Sequence, residues 1–121
     1  MLRSFPGISL ALVLFHTLPA GAHHSFSKYD SSKHVQASGV VSSVRYQNPH
    51  VFFTLVSDTG TWSVETESLP ILQRGGITES VLKDGAKATV SGWKAKDGSA
   101  TIGLRAITIG GKSLTLRRSV R

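Results

Sequence analysis

Cysteine is absent from the 121-residue chain, and acidic residues are few. The first absence excludes a disulfide framework, a thiolate metal site and a cysteine nucleophile. Only 7 acidic residues face 14 lysines and arginines, which gives a formal charge of +7. No apolar run reaches the roughly 20 residues that a membrane-spanning helix needs. The hydrophobic fraction of 40% still suffices for a packed core, so we expect one folded domain of ordinary size.

The first 22 residues have the three parts of a signal peptide: the basic start MLR, the apolar stretch ISLALVLF and the small-residue end AGA. We expect cleavage after Ala22, which makes His23 the first residue of the mature chain. An uncleaved membrane anchor is the alternative, but Pro19 and Gly21 break the helix where the cleavage site should lie. A disulfide-free exported protein suits the bacterial periplasm, so we expect a periplasmic or secreted protein without a transmembrane span in its mature form.

The rest of the chain has a β pattern. Strand-like stretches are HVQASGVVSSVRYQ from residue 34, HVFFTLVS, TWSVETE, AKATVSGWKA, ATIGLRAITI and SLTLR. Gly39 inside the first of them predicts a bulge or a sharp bend. Between the third and fourth strands, SLPILQRGG predicts one short helix with Ser68 as its N-cap and Pro70 in its first turn. Thr78 then caps a second single turn.

Five to six short strands, with one short helix between strands three and four, predict an all-β fold. We expect a small OB-like barrel, closed or partly open, because closure pairs strand edges that would otherwise remain free. A two-layer sandwich is the open alternative. The predicted boundaries are a cleaved signal peptide (1–22), a flexible N-terminal segment (23–33), the barrel (34–116) and a basic tail (117–121).

Several motifs resemble those of a family of small exported bacterial proteins of unknown function. They are AHHSF at the mature start, GVVSSVRYQNPHVFFTL, LQRGGI and VSGWKAKDGS, and they span nearly the whole mature chain. The paired histidines, NPH and KDGS are the most specific of them. Tryptophan is more usual in that family where Tyr46 stands, and an aromatic residue where Ile77 stands, both at packing positions. The resemblance implies an exported β-barrel domain and brings no established activity.

Four histidines remain in the mature chain, and their placement predicts a metal site. Imidazole nitrogen suits copper, zinc and nickel, and Cu(II) prefers a square arrangement of such donors. A free amino terminus on His23 offers its amine and its ring nitrogen as one chelate. His50 is the best candidate for a third nitrogen, because Pro49 fixes the angle at which the chain enters the strand. We expect His24 or His34 to assist.

Other interpretations of these histidines stay open. His50 could begin a strand and bond a backbone carbonyl, and His23 with His24 could form a solvated terminus. Roughly ten residues separate His24 from the predicted first strand, a tether that can reach His50 without fixing the two together.

Catalysis finds little support in the sequence. There is no Gly-x-Ser-x-Gly elbow. Glu65 and Glu67 share one face of a predicted strand, and we expect a solvated face balanced by Arg45 or Lys94 across the sheet. We therefore expect a protein without enzymatic activity, and the one enzymatic hypothesis left is copper-dependent redox chemistry at the terminus.

The basic charge supports an alternative to the copper hypothesis. Removal of the leader takes away only Arg3 and leaves 13 basic and 7 acidic residues, a formal charge of +6. An OB-like module could use charge and stacking to bind an anionic glycan or another envelope component, with no metal. Export argues against nucleic acid as the partner. The candidate ligand-binding residues are Arg45, Tyr46, Asn48, Trp93 and Lys94.

Overall fold

A computed structural model describes residues 26–117 of the chain. The elements within this range are six strands and one helix. In chain order they are β1 (Tyr29–Arg45), β2 (Phe52–Ser57), β3 (Gly60–Glu65), α1 (Leu69–Arg74), β4 (Lys87–Ala95), β5 (Thr101–Ile109) and β6 (Lys112–Thr115). The predicted all-β class is confirmed, as is the position of the helix between the third and fourth strands. No helix among the described residues is long and apolar enough to cross a membrane.

The strands form one sheet that closes on itself. Their order is β3-β2-β1-β4-β5-β6, and all neighbours in this order are antiparallel. A parallel pairing of β3 with β5, from Ser63 opposite Thr101 to Glu65 opposite Gly103, joins the two sides into a ring. The molecule is therefore an OB-like barrel rather than a two-layer sandwich, with β6 as an additional strand beside β5.

The long strand β1 serves both halves of the barrel, and Gly39 marks the place where it changes partners. Gly39 lies opposite Ser57 of β2 and also opposite Ala88 of β4. A Cβ atom at this position would lie 2.2 Å from the backbone oxygen of Val56, so only glycine permits the close approach. The irregularity in the β1–β2 pairing lies further on, between Ser42 and Arg45. Gly39 thus allows close packing of the backbones, and the bulge predicted there occurs after it.

The first strand begins five residues earlier than its sequence pattern indicates. Tyr29 is fully buried and lies opposite Ala95 of β4, so the strand extends into the segment 23–33 that we expected to be flexible. The sequence pattern does not indicate this earlier start, because the residues from Asp30 to Lys33 are polar. They lie where the β1–β4 register is irregular. Residues 118–121 of the predicted basic tail lie outside the described part of the chain.

Helix α1 has the predicted position, and Ser68 is its N-cap residue as predicted. The Ser68 side chain makes no capping hydrogen bond. Instead the backbone N–H of Leu69 donates to Asn48 Oδ1 at 3.0 Å, so a residue distant in sequence fills the role. Thr78 opens the predicted second turn, where its carbonyl accepts the N–H of Leu82 at 2.8 Å.

The barrel encloses one main hydrophobic core. Its buried residues are Ala37, Val41, Val51, Phe53, Leu55, Val64, Leu72, Ile77, Leu82, Ala88, Val90, Ile102, Leu104, Ile107, Ile109 and Leu116. Tyr46 packs against this core, and its hydroxyl donates to the Ile77 carbonyl at 2.8 Å. The two positions where the chain departs from the resembled family are therefore packing positions that contact each other. A second, smaller cluster joins Tyr29, Trp93 and Ala95, with Phe26 packed against it.

Candidate functional site

The NPH motif fixes the backbone on both sides of His50. Asn48 binds the start of α1 through its side chain, and the peptide bond between Asn48 and Pro49 is cis. On the other side Val51 is fully buried; its N–H donates to the Glu67 carbonyl, and its own carbonyl accepts the N–H of Thr66, each at 2.9 Å. His50 is thus held between two anchored residues just before β2 and cannot move as a free loop residue would.

The ring of His50 is oriented by a buried carboxylate. His50 Nδ1 lies 2.8 Å from Glu65 Oε2, and the Glu65 side chain is only 3% exposed. The other carboxylate oxygen, Oε1, accepts the hydroxyl of Tyr29 at 2.7 Å and the ammonium of Lys28 at 2.8 Å. We call these four residues the Glu65 cluster. The carboxylate connects residues that lie before β1, in β1, before β2 and at the end of β3.

The donors around Glu65 keep it ionised. Burial alone would raise the pKa of this carboxyl, but the hydrogen bonds from Lys28, His50 and Tyr29 outweigh burial and hold the pKa below its ordinary value. An ionised carboxylate only accepts hydrogen bonds, so Nδ1 of His50 must carry the proton that it shares with Glu65. In the neutral ring this leaves Nε2 with a lone pair, the form in which imidazole binds a metal ion.

A missing side chain makes room for Tyr29 beside Glu65. Gly103 lies opposite Glu65 in the β3–β5 pairing, and a Cβ atom on Gly103 would lie 2.7 Å from Cδ2 of the Tyr29 ring. The ring therefore covers the barrel wall at the point where Glu65 leaves β3. Glycine at this position is a condition for burying the carboxylate.

The chain just before β1 packs against His50. The Phe26 ring meets the His50 ring edge-on with centroids 5.7 Å apart, and it contacts the Tyr29 ring at 5.1 Å. The Lys28 carbonyl accepts the N–H of Lys96 at 2.8 Å, which ties the same segment to the turn after β4. These contacts bring together Phe26, the last residue of AHHSF, with His50 of NPH and Lys96 of KDGS.

The predicted metal ligands have different positions relative to this site. His23 and His24 lie outside the described residues. His34 is exposed on β1 opposite Trp93, with the two rings 6.0 Å apart. Within residues 26–117 no three histidine or acidic side chains are grouped closely enough to hold a metal ion, so His34 does not join His50 and Glu65.

Three of the predicted ligand-binding residues contribute to the fold. Tyr46 uses its hydroxyl on Ile77, Asn48 caps α1, and Trp93 is buried in the small cluster. Arg45 places its guanidinium over the ring of Phe52 at 5.2 Å, and Lys94 is half-buried on β4. A binding role for these residues stays a prediction.

Glu65 is the functional candidate whose environment the sequence does not reveal. We expected a solvated carboxylate balanced by Arg45 or Lys94, but Glu65 is buried and bonds Lys28, Tyr29 and His50 instead. Along β3 it alternates with the core residue Val64, so it faces away from the core, as predicted for a polar residue. It is buried because the chain before β1 lies over that side of the sheet, a long-range contact that alternation does not encode. The one indication of this site in the sequence is that the motifs AHHSF, NPH and KDGS occur together in it.

Comparison with known proteins supports the fold and identifies the family. No curated protein matches the chain in sequence. Among solved structures, apo TiaS, described as a tRNA agmatidine synthetase, is similar with a TM-score of 0.51 and 24% identity, covering 68% of this chain and 19% of TiaS. The complex of TiaS with its tRNA and ATP gives a TM-score of 0.49 and 22% identity over 67% and 19% of the two chains. The chain spans about a fifth of TiaS, and the likeness concerns the fold alone. Residues 11–105 match the model of a family of unknown function, DUF6152, and the chain belongs to this family.

Proposed function

We propose that the mature protein is an exported, periplasmic metal-binding protein that holds one Cu(II) ion between His50 and an amino terminus freed at His23. The observation that carries the proposal is the orientation of the His50 ring. Glu65 accepts its Nδ1 proton at 2.8 Å, so Nε2 is the nitrogen left for a metal. A histidine that ligates a metal commonly donates its other ring nitrogen to a carboxylate in this way.

The second support is the reach of the chain ahead of Phe26. Because Phe26 contacts the His50 ring, the terminus does not depend on a long tether to approach it. His23 lies three residues before Phe26, which an extended chain spans in at most roughly 11 Å. The amine and ring of His23 are therefore within reach of His50, and His24 is available as a further nitrogen donor.

The kind of ligand favours copper. With no cysteine in the chain, nitrogen and carboxylate oxygen are the available donors, and an amine with two imidazoles suits the tetragonal preference of Cu(II). Glu65 already binds three donors around its two oxygens, so we assign it to the support of His50 and not to the metal. His34 is not grouped with His50 and Glu65 among the described residues, so the proposal does not require it as a ligand.

The test is a Cu(II) titration of the protein beginning at His23, compared with three variants. One carries an extra glycine before His23, one is His50→Ala, and the matched control is His34→Ala. We expect the first two to weaken binding at least about 10-fold, which is about 1.4 kcal/mol, and the control to leave it unchanged. Equal binding by wild type and His50→Ala would mean that the terminus binds Cu(II) without His50, as an ordinary peptide chelate. It would leave the adaptor for an anionic envelope component as the better hypothesis.

A further inference from the structure

We infer that Glu65 is the positioning residue of the proposed metal site and that it fixes both halves of the site through its two oxygens. The inference rests on the proposed function and adds a role for a residue that is not itself a ligand. Oε2 binds the His50 ring, whereas Oε1 binds Lys28 and Tyr29, which follow directly on the segment that carries the terminus.

The half of the site at Oε2 is the ring of His50. A carboxylate accepts at both oxygens and donates at neither, so it selects the tautomer with the proton on Nδ1. Replacement of Glu65 by glutamine keeps the size of the side chain but adds a donor. An amide nitrogen facing His50 would bond an unprotonated Nδ1 and move the proton to Nε2, which removes the lone pair that the metal needs.

The half of the site at Oε1 is the chain ahead of β1. Tyr29 is fully buried and its hydroxyl reaches Oε1 at 2.7 Å, while the half-exposed Lys28 bonds the same oxygen at 2.8 Å. Phe26 then packs on the Tyr29 ring and on the His50 ring. Loss of the Oε1 contacts would loosen this segment without changing the bond between Glu65 and His50.

Three variants of the protein that begins at His23 test the roles of the two oxygens separately. Glu65→Gln disturbs both halves, and Tyr29→Phe disturbs the Oε1 half. Glu79→Gln, the matched control, makes the same change of charge at an exposed residue between α1 and β4. The first readout needs no metal: long-range proton–nitrogen NMR spectra of the imidazole report which ring nitrogen of His50 carries the proton. The second readout is the Cu(II) dissociation constant.

We expect wild type, Tyr29→Phe and Glu79→Gln to carry the proton on Nδ1 and Glu65→Gln to carry it on Nε2. Cu(II) binding should weaken about 10–100-fold in Glu65→Gln, the usual cost of losing such a partner, and should weaken less in Tyr29→Phe. Glu79→Gln should bind as wild type does.

The outcomes separate this inference from the proposed function. An Nδ1 proton in Glu65→Gln, with copper binding no weaker than in Glu79→Gln, would overturn the positioning role even if copper binds tightly to wild type. A proton shift to Nε2 with no tight copper binding in any form would keep the positioning role and reject the metal. Should Glu65→Gln fail to fold, wild type alone still decides, since an Nε2 proton on its His50 would overturn the inference.

Discussion

The main core and the Glu65 cluster are both buried, but they are built on opposite principles. The main core consists of 16 apolar residues drawn from strands, helix and loops alike, and it contains no charged group. The Glu65 cluster buries a carboxylate and surrounds it with three donors. Withdrawing a carboxylate from water costs several kcal/mol before its partners offset the loss, and apolar residues of similar volume often serve stability as well or better. The comparison teaches that the cluster is poorly explained by stability alone. Orientation of the His50 ring is the role that we propose for it.

The packing of the main core can be tested at Leu55, where we expect the largest effect on stability. Leu55 is fully buried opposite Trp62, so Leu55→Ala removes apolar contacts and leaves a cavity. We expect the free energy of unfolding to fall by about 2–5 kcal/mol in urea titrations. Val56→Ala is the matched control, because its side chain is 48% exposed on the same strand, and it should change stability by about 0.5 kcal/mol or less. A similar cost for both variants would mean that this core does not depend on close packing.

The hydrogen bonds of the Glu65 cluster can be tested by removing the hydroxyl of Tyr29. Tyr29→Phe keeps the ring over Gly103 but removes a donor to an ionised carboxylate, and such hydrogen bonds contribute about 1.5–3 kcal/mol. The matched control is Tyr46→Phe, whose hydroxyl donates to the neutral carbonyl of Ile77 and should cost only about 0.5–1.5 kcal/mol. If unfolding titrations show a larger loss of stability in Tyr46→Phe than in Tyr29→Phe, the hydrogen bond from Tyr29 to Glu65 contributes less than the geometry indicates.

The two regions also differ in how far the sequence predicts them. Alternation along β3 and β4 predicts which residues face the core, because side-chain direction in a strand follows from backbone geometry alone. The same rule predicts that Glu65 faces away from the core, which is correct, and that it is solvated, which is wrong. Its burial depends on Tyr29, which is 36 residues away, and no local pattern records that contact.

Long-range contacts decide two other features in the same way. Ser68 is the N-cap residue, but the side chain that accepts the N–H of Leu69 is that of Asn48, because the chain entering β2 runs past the helix start. The polar residues 30–33 predict a start of β1 at His34, whereas tertiary packing pairs Tyr29 with Ala95. In contrast, the expectation that the chain is stiff at His50 rests on a local property of Pro49, and the backbone next to His50 is anchored. The role of His50 as a metal ligand stays a prediction.

The smallest expected effect is a pH dependence of stability. The Glu65 cluster should contribute to it and the main core should not, because only the cluster contains titrating groups. The pKa of Glu65 lies below its ordinary value of 4.5 in the folded protein, despite its burial, because Lys28, His50 and Tyr29 donate to the ionised form. The folded state therefore binds this proton less readily than the unfolded state. The stability that Glu65 confers is complete above about pH 4.5 and is lost as the pH falls through the lower, folded-state pKa.

The pH effect is isolated by comparing urea midpoints of wild type and Glu65→Gln between pH 7 and pH 3. The exposed Asp30 and Asp97, each bonded to a nearby serine, also have a lowered pKa, so both proteins should lose some stability in acid. This shared loss cancels in the difference between the two proteins. We expect the advantage of wild type to shrink as the pH falls from about pH 4.5 to pH 3. An advantage that grows over this same acid range would mean that the folded protein favours the protonated carboxyl, and Glu65 could then no longer hold the proton of His50 on Nδ1.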